Sequence, residues 1–219
     1  MKMIEKIILS IVLSLMLYGI FLSRTDLAFF EGTYVREDGL IEWLTVVALM
    51  SGCILSLVRA FKLKLQKGKL FLLGLLAFSA VFFFGAGEEI SWGQRILGIQ
   101  SPDFFKTHNS QMETNLHNLI LDGVKINKII FGTFLGIAVA FYFLILPFLY
   151  RKFAQIKTLV DKCSIPIPKW AHIGSYIVLG ILVALTTSGK RGELLEFGGC
   201  WIFFLMYLNP HNQDIYRLD

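Results

Sequence analysis

Long runs of apolar residues constrain this chain more than any other feature of its sequence. A helix needs about 20 mostly apolar residues to cross a bilayer, because the hydrocarbon core is about 30 Å thick. Six segments meet or approach this requirement, and we predict that each forms a membrane-spanning helix. The predicted spans are 5–23, 39–58, 70–87, 129–150, 170–188 and 193–208.

The composition excludes most other classes of protein. Apolar residues make up 55% of the chain and charged residues only 17%, against about 25% in ordinary globular domains. Disordered chains, disulfide scaffolds and nucleic-acid-binding arms are therefore excluded, and we expect no nucleic-acid partner. We predict an all-α, polytopic membrane protein in which residues 1–219 form a single domain, a bundle of six transmembrane helices.

The positions of the basic residues predict the orientation of this bundle. The connections 59–69 and 151–169 carry five basic residues each and together a single acid. Because lysine and arginine accumulate in cytoplasmic loops, we expect both connections and both termini on the cytoplasmic side of a bacterial plasma (inner) membrane. The first span lacks a cleavage site and is predicted to be an uncleaved signal anchor. The cytoplasmic segments then have a net charge of +9 and the outer segments −4.

The predicted outer connection, 88–128, contains signals for two short amphipathic helices in the membrane interface. Ser101-Pro102-Asp103 is typical of a helix start. Ser110 and Glu113 match the S-x-x-E capping box, which predicts a second helix that Gly123 ends. We expect these helices to cover the outer end of the bundle.

Acidic side chains at the outer ends of the spans predict a shared site. Ionisable groups near membrane depth are costly and tend to face a cavity or a partner. The densest stretch is 85–95, with the sequence GAGEEISWGQR. If it is helical, one face carries Glu88, Ser91, Trp92 and Arg95. The adjacent Glu88 and Glu89 cannot both stay ionised cheaply at low dielectric, so the pair either holds a proton or binds a cation.

We assign candidate roles to these side chains as a hypothesis. A carboxylate would be the general base, a histidine its acid–base partner, and an arginine the anchor for substrate or transition state. The candidate catalytic residues are Glu88, Glu89, Arg95 and His117. The candidate substrate-binding residues are Glu42, Trp92, Gln94, Asn118 and Glu193.

A metal site is a further hypothesis. Glu113 and His117 stand four residues apart, so both could reach one ion from a single helix face. Glu88 or Glu89 could complete the site, and we assign Glu89, Glu113 and His117 as the candidate ligand set. A divalent metal such as zinc is the candidate cofactor, which would generate hydroxide. Two alternatives stay open: Glu113 could serve only the capping box, and the acids could form an interfacial salt-bridge cluster.

Three sequence blocks carry a resemblance to known families. Asp38-Gly39 with Glu42-Trp43, the block 87–95 (GEEISWGQR) and 113–118 (ETNLHN) resemble a family of uncharacterised bacterial multi-pass membrane proteins over about residues 37–120. That resemblance implies that the chain is a member of the family, but it does not imply any particular activity. The block is also similar to the Glu-Glu-x-x-x-Arg motif of the CAAX-protease and bacteriocin-processing membrane proteases, which implies hydrolysis within the bilayer. Here five residues separate Glu89 from Arg95 instead of three.

Three classes of function follow from the sequence. The first is a membrane-embedded hydrolase or transferase, metal-dependent under the metal-site hypothesis, that acts on a lipid or membrane-anchored substrate. The second is a small proton- or cation-coupled transporter or channel, for which spans one, four and five offer no charge at their centres. The third is a non-catalytic assembly subunit that binds another membrane protein. Membrane lipids are expected partners in every case.

Overall fold

The helices of this protein account for most of its architecture. The computed structural model describes residues 2–121, 123–126 and 128–218. Residues 122 and 127, which belong to the predicted connection 88–128, therefore lie outside the described residues. The principal helices are α1 (Met3–Thr25), α2 (Leu40–Leu63), α3 (Lys69–Glu89), α4 (Asp103–His108), α5 (Gly132–Lys152), α6 (Ala154–Lys162), α7 (Trp170–Ala184) and α8 (Arg191–Leu208).

Four of these helices are long and apolar enough to cross a membrane: α1, α2, α3 and α5. Helix α7 is apolar but has only 15 residues, and α8 has 18 residues with two glutamates near its start. The all-α prediction is confirmed, since the described strands form only a small hairpin, Ile120–Leu121 with Val124–Lys125. Four of the six predicted spans coincide with helices of spanning length and composition.

Helices α2, α3 and α8 pack closely through small and polar residues. A Cβ at Gly52 of α2 would lie 2.6 Å from the Phe82 ring of α3, so only glycine permits this approach. The Ser56 hydroxyl donates to the carbonyl of Leu75 at 2.6 Å and is also hydrogen bonded to the Tyr207 hydroxyl at 2.6 Å. Such hydrogen bonds and close backbone contacts hold helices together in lipid, where apolar burial contributes little.

The first and last helices are held together near the start of α1 and again near Gly19. The Glu5 carboxylate is fully buried and accepts a hydrogen bond from Asn209 Nδ2 at 2.5 Å, just beyond the end of α8. Nearer the middle of α1, the segment that follows the helix turns back so that Tyr34 donates to the carbonyl of Leu15 at 2.7 Å. Close by, a Cβ at Gly19 would lie 2.9 Å from the Tyr34 ring and 3.1 Å from Leu194 of α8, which is completely buried.

The prediction of a second interfacial helix, which would begin at Ser110, is wrong. Residues 110–119 form turns, and the hairpin follows them. The amide oxygen of Asn109 accepts hydrogen bonds from the backbone N–H groups of Gln111 and Glu113 at 2.9 and 3.2 Å. Asparagine side chains that bond nearby backbone compete with helix formation. The first predicted helix exists as α4, although Ser101 does not cap it and instead donates to the Met112 carbonyl.

The condition that residues 85–95 form one helix is not met. Helix α3 ends at Glu89, and the next residues turn sharply. Ser91, Trp92 and Gly93 have φ values of 47°, 56° and 75°, a conformation that favours glycine and interrupts a right-handed helix. Glu88 and Arg95 are therefore not presented on one helical face, and tertiary contacts decide where each points.

Candidate functional site

A polar cavity of about 240 Å³ lies where α2 begins, α3 ends and α8 begins. We call it the acidic cavity, because six carboxylates line it together with one arginine and one histidine. Its lining residues are Glu37, Glu42, Glu89, Arg95, Gln111, Glu113, His117, Asn118, Gly192, Glu193 and Glu196. Distant parts of the chain thus contribute to one space, as the sequence pattern predicted for the acids.

Arg95 forms one wall of the acidic cavity and binds three carboxylates at once. Its Nε lies 2.7 Å from Asp38 Oδ2, its Nη1 2.5 Å from Glu113 Oε1, and its Nη2 3.1 Å from Glu42 Oε1. Burial lowers the pKa of Arg95, but the hydrogen bonds that it donates to Glu113 and Asp38 outweigh this effect and raise that pKa above its ordinary value. The predicted role of Arg95 as substrate anchor is therefore in conflict with the geometry, because the guanidinium is already engaged.

The turn after α3 positions Glu113 in this wall. Ser91 is completely buried and donates to Glu113 Oε2 at 2.5 Å, while Asn115 Nδ2 donates to Ser91 Oγ at 2.8 Å. Glu113 Oε1 meets Arg95 from the other side. The carboxylate of Glu113 thus accepts hydrogen bonds from Ser91, Arg95 and Asn115, and it joins the turn to the segment 109–119.

Glu88 holds the segment 109–119 at the end of α3 by hydrogen bonds. Its carboxylate is 5% exposed and does not line the cavity. Oε2 accepts the backbone N–H groups of Leu116 and His117 at 2.6 and 3.2 Å, and Oε1 accepts Trp92 Nε1 at 3.0 Å. Charge-assisted bonds of this kind are stronger than neutral ones, so Glu88 is a positioning residue for His117.

His117 belongs to the same segment and, like Glu113, lines the cavity. Its Nδ1 lies 3.7 Å from Glu88 Oε2. Burial lowers the pKa of His117, but contact with Glu88 and the charges of Glu196 and Glu193 outweigh it, so the pKa is raised above its ordinary value. A histidine in this state can hold or give up a proton near neutral pH.

Three other carboxylates point into the same space without a partner. Glu89 comes from the end of α3, and Glu193 and Glu196 come from the first turns of α8. Within the described part of the chain, none of the three accepts a hydrogen bond or forms an ion pair. Like carboxylates that lie close together in a buried space cannot all stay ionised cheaply, so the three favour a proton or a positively charged group in the cavity.

The remaining predicted substrate-binding residues are divided between the cavity and its supports. Glu42 lines the cavity but is bonded to Arg95 and to the Asp38 backbone N–H. The other three predicted residues also have structural contacts. Trp92 packs against Phe83 and Phe84 outside the cavity, Gln94 accepts the Thr114 backbone N–H at 2.8 Å, and Asn118 lines the cavity while donating to Gln111 Oε1.

Sequence reasoning missed part of the lining. Glu196 was recognised with Glu193 among the acids at the outer ends of the spans but was given no site role, although its spacing of three residues places both on one helix face. Glu37 and Gln111, which are hydrogen bonded to each other, carried no comparable signal because they belong to irregular segments.

The predicted metal ligands are not arranged as expected. The spacing argument for Glu113 and His117 required a helix, and residues 110–119 are not helical. Glu113 is instead occupied by Ser91 and Arg95, and His117 faces Glu88. In the ranges that the structure describes, no group of three or more His, Cys, Asp or Glu residues could hold a metal ion.

The fold and the cavity define an all-α protein with four helices suited to crossing a membrane and a carboxylate-rich cavity at one end of its bundle. Comparison with known proteins finds no matching family model, no similar curated protein and no similar solved structure.

Proposed function

We propose that this chain is a bacterial plasma-membrane protein with six crossings, in which the acidic cavity faces outward and both termini face the cytoplasm. The distribution of charge supports this orientation, because the basic connections 59–69 and 151–169 adjoin the end of the bundle opposite the cavity. Helices α7 and α8 would be about 22 and 27 Å long. Helices shorter than the hydrocarbon core are accommodated by local thinning of the bilayer.

Its function, in our proposal, is that of a membrane-embedded hydrolase or transferase that acts on a lipid or membrane-anchored substrate. One observation carries the proposal: His117, held by Glu88, shares a cavity with three carboxylates that have no partner among the described residues. A proton-transferring group beside unpartnered carboxyl groups at the headgroup level of a membrane is suited to chemistry on a polar headgroup.

The proposed roles follow the contacts of each side chain. His117 accepts a proton from the attacking water or hydroxyl and returns it to the leaving group, while Glu88 fixes its position. Glu89, Glu193 and Glu196 bind the positively charged part of the substrate. Arg95 builds the cavity wall, so its role in this proposal is structural.

Lipid turnover by the purified protein tests this proposal. Wild type would be reconstituted in vesicles of total bacterial lipid extract, and products would be measured by mass spectrometry against protein-free vesicles. His117→Ala should lower the rate about 10²–10⁴-fold, as is typical for loss of a general acid–base group. The matched control is His108→Ala, because His108 stacks on Phe104 and does not line the cavity.

Two results would contradict the proposal. The first is a wild-type protein that changes no lipid species relative to empty vesicles. The second is a folded His117→Ala variant as active as the His108→Ala control.

A Glu196→Gln variant separates substrate binding from proton transfer, because it should raise KM more than it lowers kcat.

A proton- or cation-coupled transporter is the second candidate, and hydrogen-bonded polar side chains between α2, α3 and α8 favour it. Cys53 Sγ is 3.2 Å from Ser79 Oγ, and Ser56 is bonded to Tyr207. We rank transport second because Phe82, only 2% exposed, packs beside Cys53 and makes this interface apolar. A proton flux in proteoliposomes that disappears in Ser79→Ala would reverse the ranking.

A further inference from the structure

A second charged surface lies at the end of the bundle opposite the acidic cavity. The connection 151–169 packs on the first turns of α3, because a Cβ at Gly74 would lie 1.9 Å from the Cys163 carbonyl oxygen. Tyr216 supports the same contact, since its hydroxyl donates to the Ser164 carbonyl at 2.6 Å and its ring lies 5.9 Å from that of Phe71. The connection 59–69 leads into α3, so the two basic connections are neighbours. We call their joint exterior the basic surface.

The lysines of the basic surface have no acidic partner. The first connection supplies Lys62, Lys64, Lys67 and Lys69, and the second supplies Lys152, Lys157 and Lys162. None of them forms an ion pair within the described part of the chain. Asp161, the single acid of these connections, accepts hydrogen bonds from the Tyr150 hydroxyl at 3.1 Å and Asn212 Nδ2 at 2.9 Å. The positive charge is therefore not neutralised by the protein itself.

Large apolar side chains alternate with these lysines. Phe61 is 71% exposed and Leu65 90% exposed at the end of α2, and Leu159 is 59% exposed on α6. The Lys64 ammonium lies 4.2 Å from the centre of the Phe61 ring. Lysine stems beside exposed apolar groups are typical of a membrane interface, where the apolar part enters the acyl region and the ammonium stays with the headgroups.

We propose that the basic surface binds the phosphate headgroups of anionic phospholipids in the adjacent leaflet. Charge complementarity favours an anionic occupant, and the exposed Phe61, Leu65 and Leu159 favour one that also offers hydrocarbon. A phospholipid leaflet provides both together. This inference does not depend on the chemistry proposed for the acidic cavity, because the two sites lie at opposite ends of the bundle.

A thermal-shift titration in neutral detergent tests the proposal, with phosphatidylglycerol compared with phosphatidylcholine. Each lysine near an anionic surface contributes about fivefold in affinity, so the triple variant K62Q/K64Q/K67Q should bind phosphatidylglycerol on the order of a hundredfold more weakly. The matched control is K106Q/K125Q/K190Q, which removes the same charge outside the basic surface. It should keep the wild-type affinity.

Each alternative result bears on the proposal. Equal shifts with the two lipids, or equal affinity of the two triple variants, would overturn it. A thermal shift with inorganic phosphate equal to that with phosphatidylglycerol would also overturn it. The surface would then bind the phosphate ion alone, without the hydrocarbon of a lipid. If K62Q/K64Q/K67Q does not fold, K157Q/K162Q on α6 provides the same comparison, with an expected loss of about 25-fold.

Discussion

Replacing Arg95 by glutamine removes the guanidinium that holds one wall of the acidic cavity. The change leaves Glu42 and Glu113 without their cation, although their side chains are only 7% and 12% exposed. Removing one partner of a buried ion pair costs about 3–5 kcal/mol, because a charge then stays buried and unpaired. The third partner, Asp38, is 42% exposed and adds less than about 1 kcal/mol.

For a chain of 219 residues, this loss corresponds to a fall of about 6–20 °C in the unfolding midpoint. The measurement is thermal unfolding of purified protein in one detergent, with Arg191→Gln as the matched control. Arg191 is exposed and makes no contact with a carboxylate among the described residues, so its variant should unfold as wild type does.

A double variant identifies the cause of the loss. Arg95→Gln combined with Glu113→Gln removes one stranded charge and should recover part of the lost stability. Arg95→Lys should lie between wild type and Arg95→Gln, because one ammonium cannot place donors on three carboxylates. The reasoning is refuted if Arg95→Gln unfolds within about 2 °C of wild type, or if the double variant loses the sum of the two single losses.

Two further predictions concern pH and packing. The pKa of His117 is raised by folding, so its stabilising contribution is complete below pH about 6.5 and disappears as pH rises through the folded-state value. Unfolding midpoints measured from pH 5.5 to 8.5 should therefore converge between wild type and His117→Gln at high pH, and parallel curves would contradict this. Gly74→Ala should cost about 1–3 kcal/mol by overpacking against the Cys163 carbonyl, whereas Gly136→Ala, whose Cβ meets nothing within 4 Å, should not destabilise. Equal unfolding midpoints for the two glycine variants would refute the packing argument.

The spans could be predicted because a membrane crossing requires about 20 consecutive, mostly apolar residues, and such a run can be found in the sequence without knowledge of tertiary contacts. Helices begin and end within a few residues of the predicted positions at α1, α2 and α3. The meeting of Glu89 and Glu193 in one cavity could also be predicted, since both occupy span ends that topology assigns to the same side. These inferences need only hydrophobic length and the direction of each crossing.

The local structure between α3 and α5 could not be predicted in the same way. Ser110 and Glu113 match a capping box, but the Asn109 side chain takes the backbone donors that would have begun that helix. Ser91 and Trp92 adopt positive φ without being glycine, because contacts with Glu113 and Glu88 hold them. Both outcomes depend on side-chain partners distant in the sequence, which a short motif does not encode.

The hydrogen bond between Glu5 and Asn209 affects how the protein is assembled. These residues are 204 positions apart, so at a synthesis rate of about 5–20 residues per second the bond can form only about 10–40 s after Glu5 leaves the ribosome. Helix α1 is stable in the bilayer before the other helices are made, because its backbone N–H and C=O groups are hydrogen bonded within the helix. Throughout this interval α1 lacks its hydrogen bond to the end of α8. A chain that stops before Asn209 therefore holds Glu5 Oε1 without this donor, however long α1 has been in the bilayer.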